Sequence, residues 1–386
     1  MTKLIPQSEQ ELADLVRAAD GPVRIVGGGT RSAEQLAGRQ ELSTTSLSGI
    51  TLYEPGALTL VAQAGTPVGE IEAVLRAENQ MLAFEPYDLS DVTRVKGAST
   101  IGGVVATNAS GARRVQAGAA RDFLLGVRFV DGQGQVLKNG GRVMKNVTGY
   151  DLVKLMAGSW GTLGVLSEVS LKVLPMPEHV MTVGIVGLSD ENAVAAMSAA
   201  LGSPFDVTGA VHAPACIEEE PFTMVRIEGF ENSVRYRAEK LKDLLGRFGE
   251  VITSENAEGW KVMRDMVTFS QSARGPGGAF WQLSLKPSDA APIMAGISDQ
   301  FDVQFCYDWG GGRVWVWAGE DVDQEALHGA LQDNAARVGG HATLIHSETA
   351  LAVPKFQPLS PALSRLTQGL RQKFDPRGIL NPGLME

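Results

Sequence analysis

Val23-Arg24-Ile25-Val26-Gly27-Gly28-Gly29-Thr30-Arg31-Ser32 and Thr100-Ile101-Gly102-Gly103-Val104-Val105-Ala106-Thr107-Asn108-Ala109-Ser110-Gly111 decide how this chain is read. Each stretch joins bare backbone to small hydroxyl or amide side chains and holds no acid. Glycine lets the main chain approach a bulky anion and aim its N–H groups at it. Two such runs, about seventy residues apart, predict a diphosphate gripped from both sides, and so a nucleotide cofactor.

The flanking sequence predicts the elements that carry these loops. Ser8 with Glu11 reads as a capping box, followed by a helical stripe of Leu12, Leu15, Val16 and Ala19 that Gly21-Pro22 ends. Val23 to Val26 is then a strand feeding the first glycine run. Thr59 to Ala64 reads as another strand, and Thr66-Pro67 as an N-cap with proline at the first helical position. Thr100 caps a short helix running to Asn108. Leu124 to Val130 and Gln135 to Lys138 flank Asp131-Gly132-Gln133-Gly134, a hairpin signal. Leu163 to Val173 alternates up to Pro175-Met176-Pro177, a natural domain boundary.

Residues 178–345 have another texture. Strands at Val180 to Val186, Met224 to Glu228, Trp281 to Leu285 and Val314 to Trp317 alternate with helices at Ser233 to Phe248 and Val322 to Val338. This predicts an α+β domain with an antiparallel sheet. Pro361 to Phe374 is a final helix stopped by Asp375-Pro376, and no internal repeat is visible.

Bulk properties exclude several classes. The 386 residues are 44% apolar and 20% charged, which fits two or three ordinary globular domains. A net charge of −10 without any Lys/Arg block argues against nucleic-acid binding. No apolar run nears the roughly 20 residues that span a bilayer. The N-terminal stretch lacks a leader's apolar core. The expectation is a cytoplasmic protein that meets a membrane only through partners. Cys216 and Cys306 form no CxxC pair. His341 and His346, five apart, fall on opposite faces of a strand, which argues against a shared metal. Metal ligands are therefore not expected.

GGGTRS departs from the dinucleotide fingerprint GxGxxG, since Ser32 stands where the third glycine belongs, and no GxxxxGK[ST] occurs anywhere. A third stretch decides further: Thr148-Gly149-Tyr150-Asp151-Leu152-Val153-Lys154-Leu155 leads into Gly158-Ser159-Trp160-Gly161-Thr162-Leu163-Gly164-Val165-Leu166-Ser167-Glu168. GGGT, then TIGGxxATNASG, then TGYDLxKL and GTLG, with LNPG at the C-terminus, resemble the vanillyl-alcohol-oxidase or p-cresol-methylhydroxylase (PCMH) type of FAD-binding domain.

The resemblance implies an α+β chain. A two-subdomain PCMH-type FAD-binding domain (1–177) precedes a smaller α+β cap domain with an antiparallel sheet (178–345). A C-terminal helical segment (346–386) returns to the FAD domain. It also implies the FAD contacts. Gly27, Gly28, Gly29 and Thr30 form one pyrophosphate loop, with Arg31 and Ser32 beside it. Thr100, Gly102, Gly103, Asn108, Ser110 and Gly111 hold the diphosphate and ribityl chain from the other side. Gly161, Gly164 and Val165 offer backbone near the adenine. Some relatives bond flavin covalently through His or Cys; residues 1–178 contain neither, so noncovalent FAD is expected.

Relatives that oxidise D-2-hydroxy acids carry a GDGNxH-type segment and metal-holding histidines in the second domain. Gly339 to Glu348 lacks that pattern, and Trp160 stands where many of them have glutamate. The chain most resembles the FAD-binding E subunits of bacterial glycolate oxidase. This implies a larger flavoprotein subunit and an iron–sulfur subunit as partners, with glycolate at the partner's site and electrons relayed onward. Two cysteines supply no cluster of their own. Two other readings stay open: a free-standing oxidoreductase of another small 2-hydroxy acid, and a degenerate scaffold without cofactor. In the first, Arg31, Arg113 and Arg114 are anion-binding candidates; otherwise they are solvated or phosphate-facing. Asp151 is either a flavin-side base or a cap beside Lys154. Trp309, Trp315 and Trp317 read as core or interface. The catalytic residue is left unassigned.

Overall fold

A computed structural model describes residues 3–31, 40–142, 149–218, 220–255, 257–269 and 277–385. Ser32 and Thr148 of the expected motifs lie outside them. The chain divides into two compact units. The first takes Met1–Ser110, Gly118–Met176 and Pro358–Glu386; the second takes Gly111–Ala117 and Pro177–Gln357.

In the first unit, the helix Glu9–Ala18 starts where Ser8 Oγ accepts the Glu11 amide at 3.2 Å. Its acidic first turn and Arg17 in the last turn both suit the helix dipole. Leu12, Ala13 and Val16 bury one face against Val23, Leu42, Val130 and Val165. Two sheets result. One is parallel, with Gln40–Ser43 between Lys3–Leu4 and Val23–Val26. The other is antiparallel, in the order Ile50–Glu54, Thr59–Gln63, Val165–Lys172, Leu124–Val130, Val136–Gly140. The C-terminal tail closes the parallel sheet's free edge. Val23 donates to Ile379 O at 2.8 Å and Asn381 donates to Val23 O at 3.0 Å.

Thr66 departs from expectation. The next helix begins at Val68, Pro67 occupies the cap position, and the Thr66 side chain caps nothing. Its hydroxyl donates to Gln63 O at 2.7 Å and accepts from the Gly49 amide at 2.9 Å, so the loop has captured it.

The second unit contains one eight-stranded antiparallel sheet. Its order is Val251–Ser254, His179–Val186, Phe222–Gly229, Val207–Ala213, Gln304–Asp308, Arg313–Gly319, Gly278–Ser284, His341–Ser347. In chain order the elements run β-α-β-β-α-β twice, with helices Asp190–Leu201 and Glu231–Leu245, then Pro287–Ser298 and Gln324–Arg337. Each half has its fourth strand beside its first, then its third, then its second. The halves meet edge to edge where His212 pairs with Tyr307. This duplication leaves no sequence period, because what repeats is alternation and helix amphipathy rather than identity.

Residues such as Val183, Val225, Trp281, Val316 and Leu344 share one buried core with Met197, Leu241, Met294 and Leu331 of the helices. Several polar groups inside it are paired. The Trp281 indole donates to His328 Nδ1 at 3.2 Å, and Tyr307 Oη donates to Asp190 at 2.8 Å.

His341 and His346 require a correction. His341 pairs with Ser284 and His346 with Phe280, and a one-residue bulge lies between those pairs. Ser284 and Phe280 are four apart, so both histidines stand on one face rather than two. Among the described residues, no group of three or more His, Cys, Asp or Glu side chains is gathered for a metal, and no helix is long and apolar enough to cross a membrane.

Candidate functional site

The two glycine runs meet. A Cβ at Gly28 would lie 1.7 Å from Ala98 O, one at Gly97 1.9 Å from Gly28 O, and one at Gly27 2.3 Å from Thr100 Oγ1. Backbone therefore lies on backbone, and no side chain fits between. Thr93 Oγ1 donates to Thr30 O at 3.4 Å. Arg31, 7% exposed, donates to Ser99 Oγ at 2.6 Å and to Tyr87 O. It is thus bound within the loop assembly rather than solvated.

The second run is held just as firmly. Thr100 Oγ1 accepts the Gly103 amide at 3.3 Å and caps the helix Ile101–Thr107. The Gly102 amide donates to Ala64 O at 2.8 Å. Asn108 ends the helix at φ 52°, in the left-handed region where Asn is tolerated. Its Oδ1 accepts the Arg121 amide, and Ser110 Oγ links Asn108 O to the Ala120 amide. These two side chains shape the turn. Gly111 falls in the second unit.

The third stretch joins the same place. Gly158 and Trp160 amides donate to Val105 O at 3.0 Å and Ala106 O at 2.8 Å. Gly161 packs on Asn381, which donates to Trp160 O at 2.8 Å and accepts the Ile25 amide at 2.8 Å. One side chain from the C-terminal tail therefore ties strand Val23–Val26 to the third motif. Gly164 lies against Phe129, and Val165 is fully buried and pairs with Val130, so only backbone is available there.

Ser159 was not singled out by sequence. Its residue is 5% exposed, and its enclosed hydroxyl has no hydrogen-bond partner among the described residues. A buried hydroxyl left so costs about 1–3 kcal/mol unless a ligand satisfies it. Its only sequence signal is its place between Gly158 and Trp160. The bare glycine cradle and this orphaned donor together fit a phosphate-bearing group.

The remaining candidates have structural partners. Asp151 Oδ1 accepts the Lys154 amide at 3.2 Å and caps the helix Leu152–Met156; Tyr150 is 88% exposed. In the second unit, Arg113 is 7% exposed and pairs with Glu228, while Arg114 lies 4.5 Å over the Trp309 ring. Trp315 is fully buried and stacks on Phe280 at 5.1 Å.

Residues 3–140 match the FAD binding domain family. The chain is 35% identical to the glycolate oxidase subunit GlcE of Escherichia coli K12, over 90% of this chain and 87% of that one. The chain belongs to the GlcE family. It is also 25% identical to the glycolate oxidase subunit GlcD of Bacillus subtilis, over 89% of this chain and 82% of that one. The 4-ethylphenol oxidase of Gulosibacter chungangensis, solved with isoeugenol, shares the fold at a TM-score of 0.75 and 14% identity, over 99% of this chain and 88% of that one. The PCMH-type, FAD-binding architecture implied by the family resemblance is thus shown, and FAD is the cofactor.

Proposed function

We propose that this chain is the FAD-binding subunit of a glycolate-oxidising complex and relays electrons to its partners. The observation that carries the reading is likeness to GlcE over nearly the full length of both chains. Oxidation of glycolate to glyoxylate releases two electrons and two protons. Bound FAD accepts an electron pair and can release electrons singly. Gly27, Gly28, Gly29, Thr30, Thr100, Gly102, Gly103, Asn108, Ser110, Gly111 and Gly161 are the proposed cofactor contacts, with Gly164 and Val165 contributing backbone and Ser159 added. Ser32 joins them from the sequence alone.

Arg31 and Arg113 are engaged by protein groups, which favours a relay over a free-standing hydroxy-acid enzyme. Glycolate then binds a larger flavoprotein partner, and an iron–sulfur partner takes electrons one at a time. With two cysteines in all, the chain has too few thiolates for a four-cysteine cluster. Any membrane contact runs through those partners. Absence of His and Cys before His179 favours noncovalent FAD.

The test mixes purified, FAD-loaded chain with glycolate, alone and with the larger flavoprotein subunit. The expected result is flavin bleaching only in the mixture. Bleaching of the isolated chain at the same rate supports a free-standing enzyme and overturns the relay.

A further inference from the structure

The C-terminal helix Pro361–Phe374 lies wholly within the first unit, and its packing is inside out. Ser360 caps it, with Oγ accepting the Leu363 amide at 3.4 Å. Its far end is pinned. The Gly132 amide donates to Phe374 O at 2.8 Å, the Phe374 ring lies 6.1 Å from that of Phe129, and Arg377 just beyond donates to Gly132 O at 3.0 Å. Yet no residue of the helix is buried. The partly covered positions are Ser364, Thr367, Arg371 and Phe374, whereas Leu363, Leu366 and Leu370 are 53%, 65% and 40% exposed.

A helix in a globular protein is held mainly by burying its apolar stripe. This one covers a largely polar face and leaves its leucines outside. At 3.6 residues per turn the three leucines fall within roughly 60° of arc. They stand at i, i+3 and i+7, the anchor spacing of a helix laid in a groove. So narrow a seam suits a groove, whereas a helix lying on lipid sinks a broad apolar face.

Charge selects the occupant. The helix carries Arg365, Arg371 and Lys373 and no acid, in a chain of net charge −10. A second copy seated helix against helix would set like charges together. Carboxylates around an apolar groove complement them. We propose that Pro361–Phe374 docks in an apolar, carboxylate-rimmed groove on the larger flavoprotein subunit. The inference rests on the complex proposed above, in which that subunit passes electrons to this chain.

The test titrates the FAD-loaded full chain with the purified larger flavoprotein subunit and reads the dissociation constant by sedimentation velocity, at low and high salt. One variant combines Leu363→Ala, Leu366→Ala and Leu370→Ala, since alanine preserves helix propensity. A second is Arg365→Glu. Tyr236→Ala removes a 62% exposed ring from the second unit and is the control. Association should weaken about tenfold or more in the leucine variant. It should weaken about fivefold or more in Arg365→Glu, with a smaller dependence on salt. Tyr236→Ala should bind as wild type, and the flavin-to-protein ratio and circular dichroism should be unchanged in all three. Wild-type affinity in both helix variants, or an equal loss in Tyr236→Ala, overturns the docking helix. It also fails if the leucine variant keeps its affinity for the subunit but loses self-association, or loses pelleting with phosphatidylglycerol vesicles; the face then belongs to a second copy or to lipid. A wild-type chain that does not bind the subunit at all overturns the complex reading, and this surface with it.

Discussion

Ser159 separates a structural residue from a ligand-facing one. Its hydroxyl is enclosed and makes no hydrogen bond among the described residues, so removing it takes no such bond from the apoprotein. Ser159→Ala should leave the apoprotein's Tm unchanged or slightly raised. FAD affinity should fall about tenfold, the value of one hydrogen bond to a charged group. Paired thermal melts and FAD titrations check this; equal affinity would remove Ser159 from the site. Lys355 is the opposite case, a charge the fold must suppress. Burial alone pulls its pKa down to about 7, and its ammonium has Ile345 O at 3.2 Å. Between about 7 and the ordinary lysine value the unfolded chain binds the extra proton. Stability should therefore rise with pH through that window, by up to about 1.4 kcal/mol per pH unit. Lys355→Met should be stabilising at pH 6.5, and the gain should fade by pH 10. A gain that persists undiminished at pH 10 would mean that packing, not charge, sets the effect.

Elements are joined in the first unit by a shared carboxylate. Glu9, at the start of its helix, accepts from Arg128 and from Ser167 at 2.6 Å, on two neighbouring strands. Burial works to raise its pKa, but the hydrogen bonds from Arg128 and Ser167 and the Arg128 charge outweigh it, so the carboxyl sits below its ordinary value. The stability from this depression is complete above that ordinary value and is lost as pH falls through the folded one. Glu9→Gln should flatten the acid limb of the Tm–pH curve as pH falls below the ordinary carboxylate value of 4.5. An acid limb as steep as wild type would assign acid unfolding elsewhere.

The same scale shows what sequence could and could not reveal. Ser8, Thr100 and Pro361–Phe374 were legible because capping and helical periodicity are local. The glycine runs were legible because only bare backbone permits the approach of Gly28 to Ala98. Thr66 was misread because its hydroxyl found loop partners from Gly49 and Gln63, a tertiary choice. A bulge within His341–Ser347 inverted the parity that spacing assigned to two histidines. The Asn381 tie is a contact across a long sequence separation, which no local pattern encodes.

On the scale of the whole molecule, the proposed function rests on segments distant in sequence converging within the first unit. Strand Val23–Val26, the turn at Gly97 to Thr100, the Gly158–Gly161 turn and Asn381 are linked by short contacts there. A ligand that binds only this folded arrangement stabilises it by mass action, about 2.7 kcal/mol at a hundredfold excess over its dissociation constant. The direct measurement is equilibrium FAD binding by the purified full chain, beside Gly28→Ala, with flavin recovered after acid precipitation. The expected result is one FAD per wild-type chain, released free by acid, and at least a hundredfold weaker binding in Gly28→Ala, whose Cβ would collide with Ala98 O at 1.7 Å. A folded wild-type chain that stays colourless in excess FAD, or a Gly28→Ala variant that binds FAD as tightly, would contradict the account.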